Sequence, residues 1–237
     1  MKDPNVVKDS NMDMRAFFLL LICCAVVPAA EIPAPLAARM DQTAVSFKSF
    51  SAELKQTDHT AIVNDDAALT GIFRMRRVKP GDARVLIDYK GTDARAISFE
   101  GDKVQIFYPK INTVQVYQVG NRRGLVDQFL LLGFGASVAE LKSSYEVSYL
   151  GTETIGGLAT SHLRLIPKSA DVLKILKVAE LWMDDATGLP VQQKFSTSST
   201  GDYKLITYLG AKQNPALSDK DIRLNLPRGA VTQVMPR

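Results

Sequence analysis

The chain has 237 residues, 46% hydrophobic and 23% charged, the balance of an ordinary folded protein and not of a disordered or collagen-like one. Its formal net charge of +4 is small and dispersed, which argues against the concentrated basic face of a nucleic-acid binder. The densest basic cluster, Arg74, Arg76 and Arg77, falls inside an alternating strand pattern.

The N-terminus reads as a targeting segment. Arg15 precedes the apolar run Ala16–Val27, and Pro28-Ala29-Ala30 follows with small residues. Basic, apolar and small-residue regions in that order make a secretory signal. The run falls short of the roughly 20 apolar residues that a spanning helix needs. Residues 1–13 are polar and add nothing to it, so Met12 and Met14 are alternative starts. Cleavage near Ala29 or Ala30 predicts a signal over 1–30 and one domain over 31–237, located in the periplasm. Both cysteines, Cys23 and Cys24, lie in the signal, which leaves the mature chain no disulfide, thiolate nucleophile or Cys metal site. Neither is preceded by the small residues of a lipidation site.

Leu36, Met40, Ala44 and Phe47 recur at helical spacing and predict an amphipathic helix over Pro35–Ser51. The period then changes to two. Strands are predicted over Phe50–Thr57, Leu69–Arg76, Val85–Tyr89, Ile97–Phe99, Val104–Tyr108 and Val114–Val119, with a hairpin turn at Glu100–Lys103. Short strands with regular turn signals imply an antiparallel meander with one apolar face. The pattern breaks at Arg122–Leu132, where Leu125, Phe129 and Leu132 share a helical face beside Val126 and Leu130. Gly133-Phe134-Gly135 stops that helix, and Ser137 with Glu140 three residues on starts a second. Strands resume over Tyr145–Leu150, Leu158–Ile166, Val178–Asp184, Val191–Ser198 and Tyr203–Lys212, with one helical turn in Asp171–Lys177 and turns at Asp184–Gly188 and Thr200–Asp202. An extended tail runs over Asn214–Pro236.

The residues nominate no catalytic centre. Two histidines, His59 and His162, do not make a metal site. Ser161 and His162 are strand neighbours and point to opposite faces. Gly133-Phe134-Gly135 does not join a strand to a helix as phosphate loops do, and Asp65-Asp66 and Asp184-Asp185 read as turn residues. The chain is therefore expected to be a binding protein and not an enzyme, with no cofactor and no metal.

The helices are unusually greasy for surface elements. Phe129–Leu132 is greasy all round and must be covered. Phe73, Met75, Val85, Ile87, Tyr89, Ile97, Phe99, Val104, Ile106, Leu163, Leu165, Trp182 and Phe195 are read as one strand face. Two arrangements satisfy this: a solid core, or a hollow that takes acyl chains at about 0.8 kcal/mol per buried methylene. Met75 and Met183 would adapt to variable chains.

Four segments carry a family resemblance. They are Ser49–Gln56 after a helix, Leu69–Pro80 ending in basic-Pro, Ala96–Pro109 around Glu100-Gly101-Asp102, and Asn214–Ala230. In order and spacing the chain resembles the periplasmic lipoprotein carriers of the LolA type and the lipid-binding half of RseB-type stress sensors. The resemblance implies a mainly β fold, an incomplete, half-open antiparallel β-barrel covered by short helices that form a lid. It implies a carrier that shields acyl chains of lipoproteins and moves them from an inner-membrane lipoprotein-releasing transporter to an outer-membrane receptor, or alternatively a carrier or sensor of another acylated ligand. The expected partners are acylated lipoproteins or lipids, with transient membrane contact, no nucleic acid, and a monomeric chain. The expected ligand-binding residues are Phe73, Met75, Val85, Ile87, Tyr89, Ile97, Phe99, Ile106, Leu163, Leu165, Trp182 and Phe195. The expected lid comprises Leu125, Phe129, Leu130, Leu132 and Phe134. The family's lid is held by an Arg before Pro; the matching position here is Lys79, which lacks the guanidinium fork. Arg77 substitutes only if strand alternation turns it inward.

Overall fold

The structure, a computed structural model, describes residues 30–79, 82–120, 132–197 and 200–236. The signal segment with Cys23 and Cys24, and the segment holding Leu125, Phe129 and Leu130, lie outside the described residues.

Helix α1 (Ala34–Ser46) starts with prolines at its first turn and buries Leu36, Met40 and Thr43. It is shorter than its periodicity suggests, because Phe47 already has extended backbone. Asn214 explains the stop. Its side-chain oxygen accepts from the backbone N–H of Lys48 at 2.7 Å and of Ser49 at 3.2 Å, and its amide donates to the Ser46 carbonyl at 3.0 Å. A residue 168 positions away in sequence thus satisfies groups that a helix end leaves unpaired.

The strands are β1 (Ser49–Thr60), β2 (Asp65–Lys79), β3 (Asp82–Lys90), β4 (Arg95–Glu100), β5 (Lys103–Tyr108), β6 (Thr113–Gln118), β7 (Tyr145–Ile155), β8 (Leu158–Pro167), β9 (Val178–Asp184), β10 (Pro190–Ser196), β11 (Tyr203–Gln213) and β12 (Val231–Val234). They form one 12-stranded sheet in the order β12-β6-β5-β4-β3-β2-β1-β11-β10-β9-β8-β7. Two meanders, β1–β6 and β7–β11, are joined by the antiparallel β1–β11 pairing. Among the described residues the ends of the order are not paired to each other, so the barrel is half-open, as expected. All pairings are antiparallel except β12 on β6, and that parallel strand lies in the tail expected to be merely extended.

Two short α-helices follow among the described residues. Helix α2 (Val138–Ser144) begins with the expected capping box between Ser137 and Glu140. Helix α3 (Ala170–Leu173) is the expected single turn. With α1 they cover the β7–β10 half of the inner face, where Leu36, Met40, Leu141 and Val172 pack with Leu163, Leu165, Leu181 and Met183. The hairpin turn after β9 brings Gly188 against α1. A Cβ there would lie 2.9 Å from the Met40 nitrogen, so this close approach admits only glycine. Among the described residues no helix is long and apolar enough to cross a membrane.

Candidate functional site

The period of two along each strand builds one inward face. The register aligns Phe73 with Ile87, Met75 with Val85, Val85 with Phe99, Ile87 with Ile97, and Ile97 with Ile106. On the other half it aligns Leu163 with Leu181 and Leu165 with Ala179, and Phe195 pairs with Ala179 as well. Every residue proposed from sequence to line the site shares this face, with one exception.

Trp182 is that exception, and the expectation is corrected. It pairs with His162 and Gln192, out of phase with Leu181 and Met183, and so projects from the outer face. There its ring stacks on His162 at 4.1 Å and its N–H donates to Glu153 at 2.9 Å. Leu181 and Met183, both fully buried, take the inward positions. Glu180 and Asp184 share the phase of Trp182, which is the signal that identifies its side.

The inward face is not uniform. Around β1–β3 and β11 it is packed solid. The rings of Phe50, Phe73, Phe134 and Tyr208 lie 4.8 to 6.0 Å apart, mostly edge to face. Phe50, Leu54 and Tyr208 belong to this core and were missed as lining residues from sequence. Its polar atoms are paired: Tyr89 donates to Gln56 at 2.6 Å, and Tyr208 donates to Gln193 at 2.7 Å. Gln193 in turn donates to the Leu132 carbonyl at 2.6 Å. Burial pushes the Tyr89 hydroxyl up to about 12, and raises Tyr208 still further.

Across β4–β6 the situation reverses. The inward side chains Ile97, Phe99, Val104, Ile106 and Tyr117 are all only half-buried. The well-buried hydrophobic residues of these strands, Phe107, Val114 and Val116, lie on the outer face under Leu224 and Ala230 of the tail. The tail covers the back of this part of the sheet, while the front keeps a contiguous, partly accessible apolar surface, the kind of surface that marks a binding site.

Leu132 and Phe134 are both buried, Leu132 in the cluster of the β7–β10 half and Phe134 among the Phe50, Phe73 and Tyr208 rings. Lys79 is not their latch: it is exposed and pairs across the hairpin with Asp82. Arg77 is two residues on from Met75 and so turns inward. It donates to the Ala44 carbonyl of α1 at 2.9 Å and to the Gly135 carbonyl at 2.7 Å, with its guanidinium 5.2 Å from the centre of the Phe47 ring. One fork thus ties α1 and the Gly133-Phe134-Gly135 turn to β2, a task that a Lys cannot do.

The polar clusters elsewhere are paired in ways that suit structure. Ser161 donates to Asp185 at 2.7 Å on the inner side, while His162 meets Glu153 at 2.8 Å on the outer side. His59 bonds Asp66 at 2.8 Å and stacks on Tyr203 at 4.7 Å. Among the described residues no group of three or more His, Cys, Asp or Glu could hold a metal ion.

Residues 64–200 match the family model described as the MucB/RseB N-terminal domain. No curated protein matches by sequence. Solved structures with the same fold include MucB, with a TM-score of 0.50 and 15% identity over 80% of this chain and 62% of MucB. An uncharacterized conserved protein from Thermus thermophilus aligns with a TM-score of 0.51 and 9% identity, over 84% of this chain and 97% of that one. The complex of MucA and MucB from Pseudomonas aeruginosa aligns with a TM-score of 0.46 and 16% identity, over 81% of this chain and 59% of that one. The half-open barrel is thus that of the MucB/RseB N-terminal domain, one of the two relatives that the four motifs imply.

Proposed function

This chain belongs to the MucB/RseB N-terminal domain family, and on that premise we propose that it is an exported, periplasmic protein that binds acyl chains of lipids or lipoproteins without turning them over. The observation that carries this reading is the half-buried apolar face of Ile97, Phe99, Val104, Ile106 and Tyr117. Burying a long chain there gains about 0.8 kcal/mol per methylene, offset in part by the lost freedom of both partners. The solid aromatic packing near Phe73 marks the inner limit of the site, and the Arg77 fork holds its lid. In this reading the protein takes a lipoprotein at the inner membrane, shields its acyl chains and yields it at the outer membrane.

The family match favours a second reading, in which the same face serves a sensor that reports an acylated ligand to a partner protein. Both rest on one binding event, and one experiment tests it. The mature chain is exported, purified without detergent and examined by native mass spectrometry for bound lipid. The wild type is expected to carry lipid mass, and Ile106→Asp to lose it while keeping its circular dichroism. Equal lipid occupancy in the two proteins would rule the site out. Carrier and sensor then separate by function: a carrier releases a lipoprotein from spheroplasts when added in excess, whereas a sensor holds its ligand and releases none.

A further inference from the structure

A cavity lies on the opposite side of the sheet from the half-buried apolar face. It encloses about 450 Å³ between β2–β5 and the tail around 220–225, a size usual for small-ligand sites. Leu86, Phe107 and Leu224 supply an apolar floor. The rest of its wall is strongly basic: Arg74, Lys90, Arg95, Lys220 and Arg223 against Asp88 and Asp221.

Both acids are already engaged. Asp88 pairs with Lys90 at 2.6 Å. Asp221 accepts from the Ser218 hydroxyl at 2.6 Å and the Ser218 N–H at 2.7 Å, and these bonds, helped by the charge of Arg74, hold its carboxyl below the usual range. Arg223 faces Asp219 at 3.4 Å, and Arg95 lies over the Tyr89 ring at 4.9 Å. Arg74 and Lys220 have no salt-bridge partner among the described residues, and they face the cavity from opposite walls.

The tail wall is fixed in place. Arg76 pairs with Asp219 and donates to the Leu217 carbonyl at 3.0 Å, and Arg84 reaches Asp219 at 3.7 Å. The basic groups are therefore held around a hollow that the tail cannot simply vacate, which is how a preorganised site differs from a loose surface cluster.

We propose that this cavity is a second ligand site for a phosphoryl-bearing anion, bound by Arg74 and Lys220 over the apolar floor of Leu86, Phe107 and Leu224. Guanidinium forks and ammonium groups together suit a tetrahedral oxyanion with more than one negative charge. The anion is either free phosphate or the headgroup of a phosphorylated amphiphile whose first carbons rest on the floor.

The test titrates the mature chain by calorimetry with inorganic pyrophosphate and, separately, with dihexanoyl phosphatidic acid below its micelle concentration, against chloride at matched ionic strength. Three proteins are compared: wild type, Arg74→Gln/Lys220→Gln, and Ile106→Asp. Saturable binding is expected in wild type and in Ile106→Asp, weakened about tenfold or more in the double variant, since each lost charged hydrogen bond carries that much. Binding of pyrophosphate as tight as that of phosphatidic acid assigns the site to free phosphate. Tighter binding of phosphatidic acid assigns it to a headgroup. Absence of saturable binding for both, or binding unchanged in the double variant, overturns the proposal. Loss in Ile106→Asp with retention in the double variant overturns it too, and credits the inner face instead. Should the double variant fold poorly, Lys220→Gln alone, on the exposed tail, gives the same readout.

Discussion

Arg77 reaches the Gly135 carbonyl at 2.7 Å while Gly135 leaves no room for anything more between them. A Cβ on Gly135 would lie 2.7 Å from the Arg77 guanidinium and 2.7 Å from the Phe47 Cβ, at a backbone φ of +62°. The latch and the glycine are one device. Arg77→Lys keeps the charge but loses the fork across Ala44 and Gly135, and is expected to cost about 1.5–3 kcal/mol. Gly135→Ala adds strain in the left-handed region to the same loss. Urea melts of both variants check this, and amide exchange of α1 should quicken before that of β8 and β9. Exchange that quickens evenly throughout would mean that Arg77 supports the whole fold and not the lid.

Two buried tyrosines should respond in opposite senses to loss of their hydroxyl. Tyr145 is buried and its hydroxyl has no hydrogen-bond partner among the described residues. Tyr145→Phe removes an uncompensated desolvation cost and is expected to be neutral or to stabilise by up to about 1 kcal/mol. Tyr208→Phe orphans the Gln193 oxygen inside the packed aromatic cluster, and is expected to cost about 1–3 kcal/mol. Denaturant melts of the pair settle the comparison. A loss in Tyr145→Phe as large as in Tyr208→Phe would indicate a bridging water at the Tyr145 hydroxyl.

Most of the strand pattern was legible because period-two alternation is local. The span Val178–Asp184 and the capping box at Ser137 were read from neighbouring residues alone, and they stand. The sequence did not tell which strands would meet across long separations. Nothing around Ser49 reveals that Asn214 will end the first helix, or that β1 will join β11 into a single sheet. Trp182 shows a second limit. Its size drew it to the apolar face, although Glu180 and Asp184 flank it in phase and Leu181 and Met183 out of phase. Phase, not size, decides the side of a strand. The same alternation, applied from Met75, puts Arg77 and Lys79 in one phase; what separates them is the irregular register between the two and the exposure of Lys79, and neither is written in the local sequence. The difference between the packed half and the half-buried half of the inner face was not legible at all, because it depends on which strands α1, the short helices and Phe134 come to cover.

The raised tyrosines also set an alkaline limit. Burial pushes the Tyr89 and Tyr145 hydroxyls up to about 12 and Tyr208 higher still, against an ordinary value of about 10. Above about pH 10 the unfolded chain releases these protons and the folded chain keeps them. The unfolded state then binds fewer protons, so stability falls as pH rises. These groups contribute no pH dependence below that range. Each steepens the fall by up to about 1.4 kcal/mol per pH unit until its folded value is reached. Urea melts at about pH 9 and about pH 11 are expected to show this loss, and Tyr145→Phe to show a shallower one. An identical slope in wild type and Tyr145→Phe would mean that Tyr145 ionises normally in the folded protein.

The outward placement of Trp182 makes the only tryptophan of the chain a reporter of the wrong side of the sheet for acyl binding. Its ring faces His162 and Glu153 on the outer side, while its neighbours Leu181 and Met183 point to the inner face. An acyl chain against Phe99 and Ile106 does not touch it. Tryptophan emission is therefore expected to stay within noise as a lipid is titrated in, while a fluorophore attached through Ile106→Cys responds. Trp182→Phe is expected to leave lipid affinity within about twofold, because an apolar side chain that stays on the outer face changes neither the site nor its lid. A saturable shift of Trp182 emission on lipid binding, absent in Ile106→Asp, would show that the ligand's effect crosses the sheet, and would return Trp182 to the site from which its strand phase removes it.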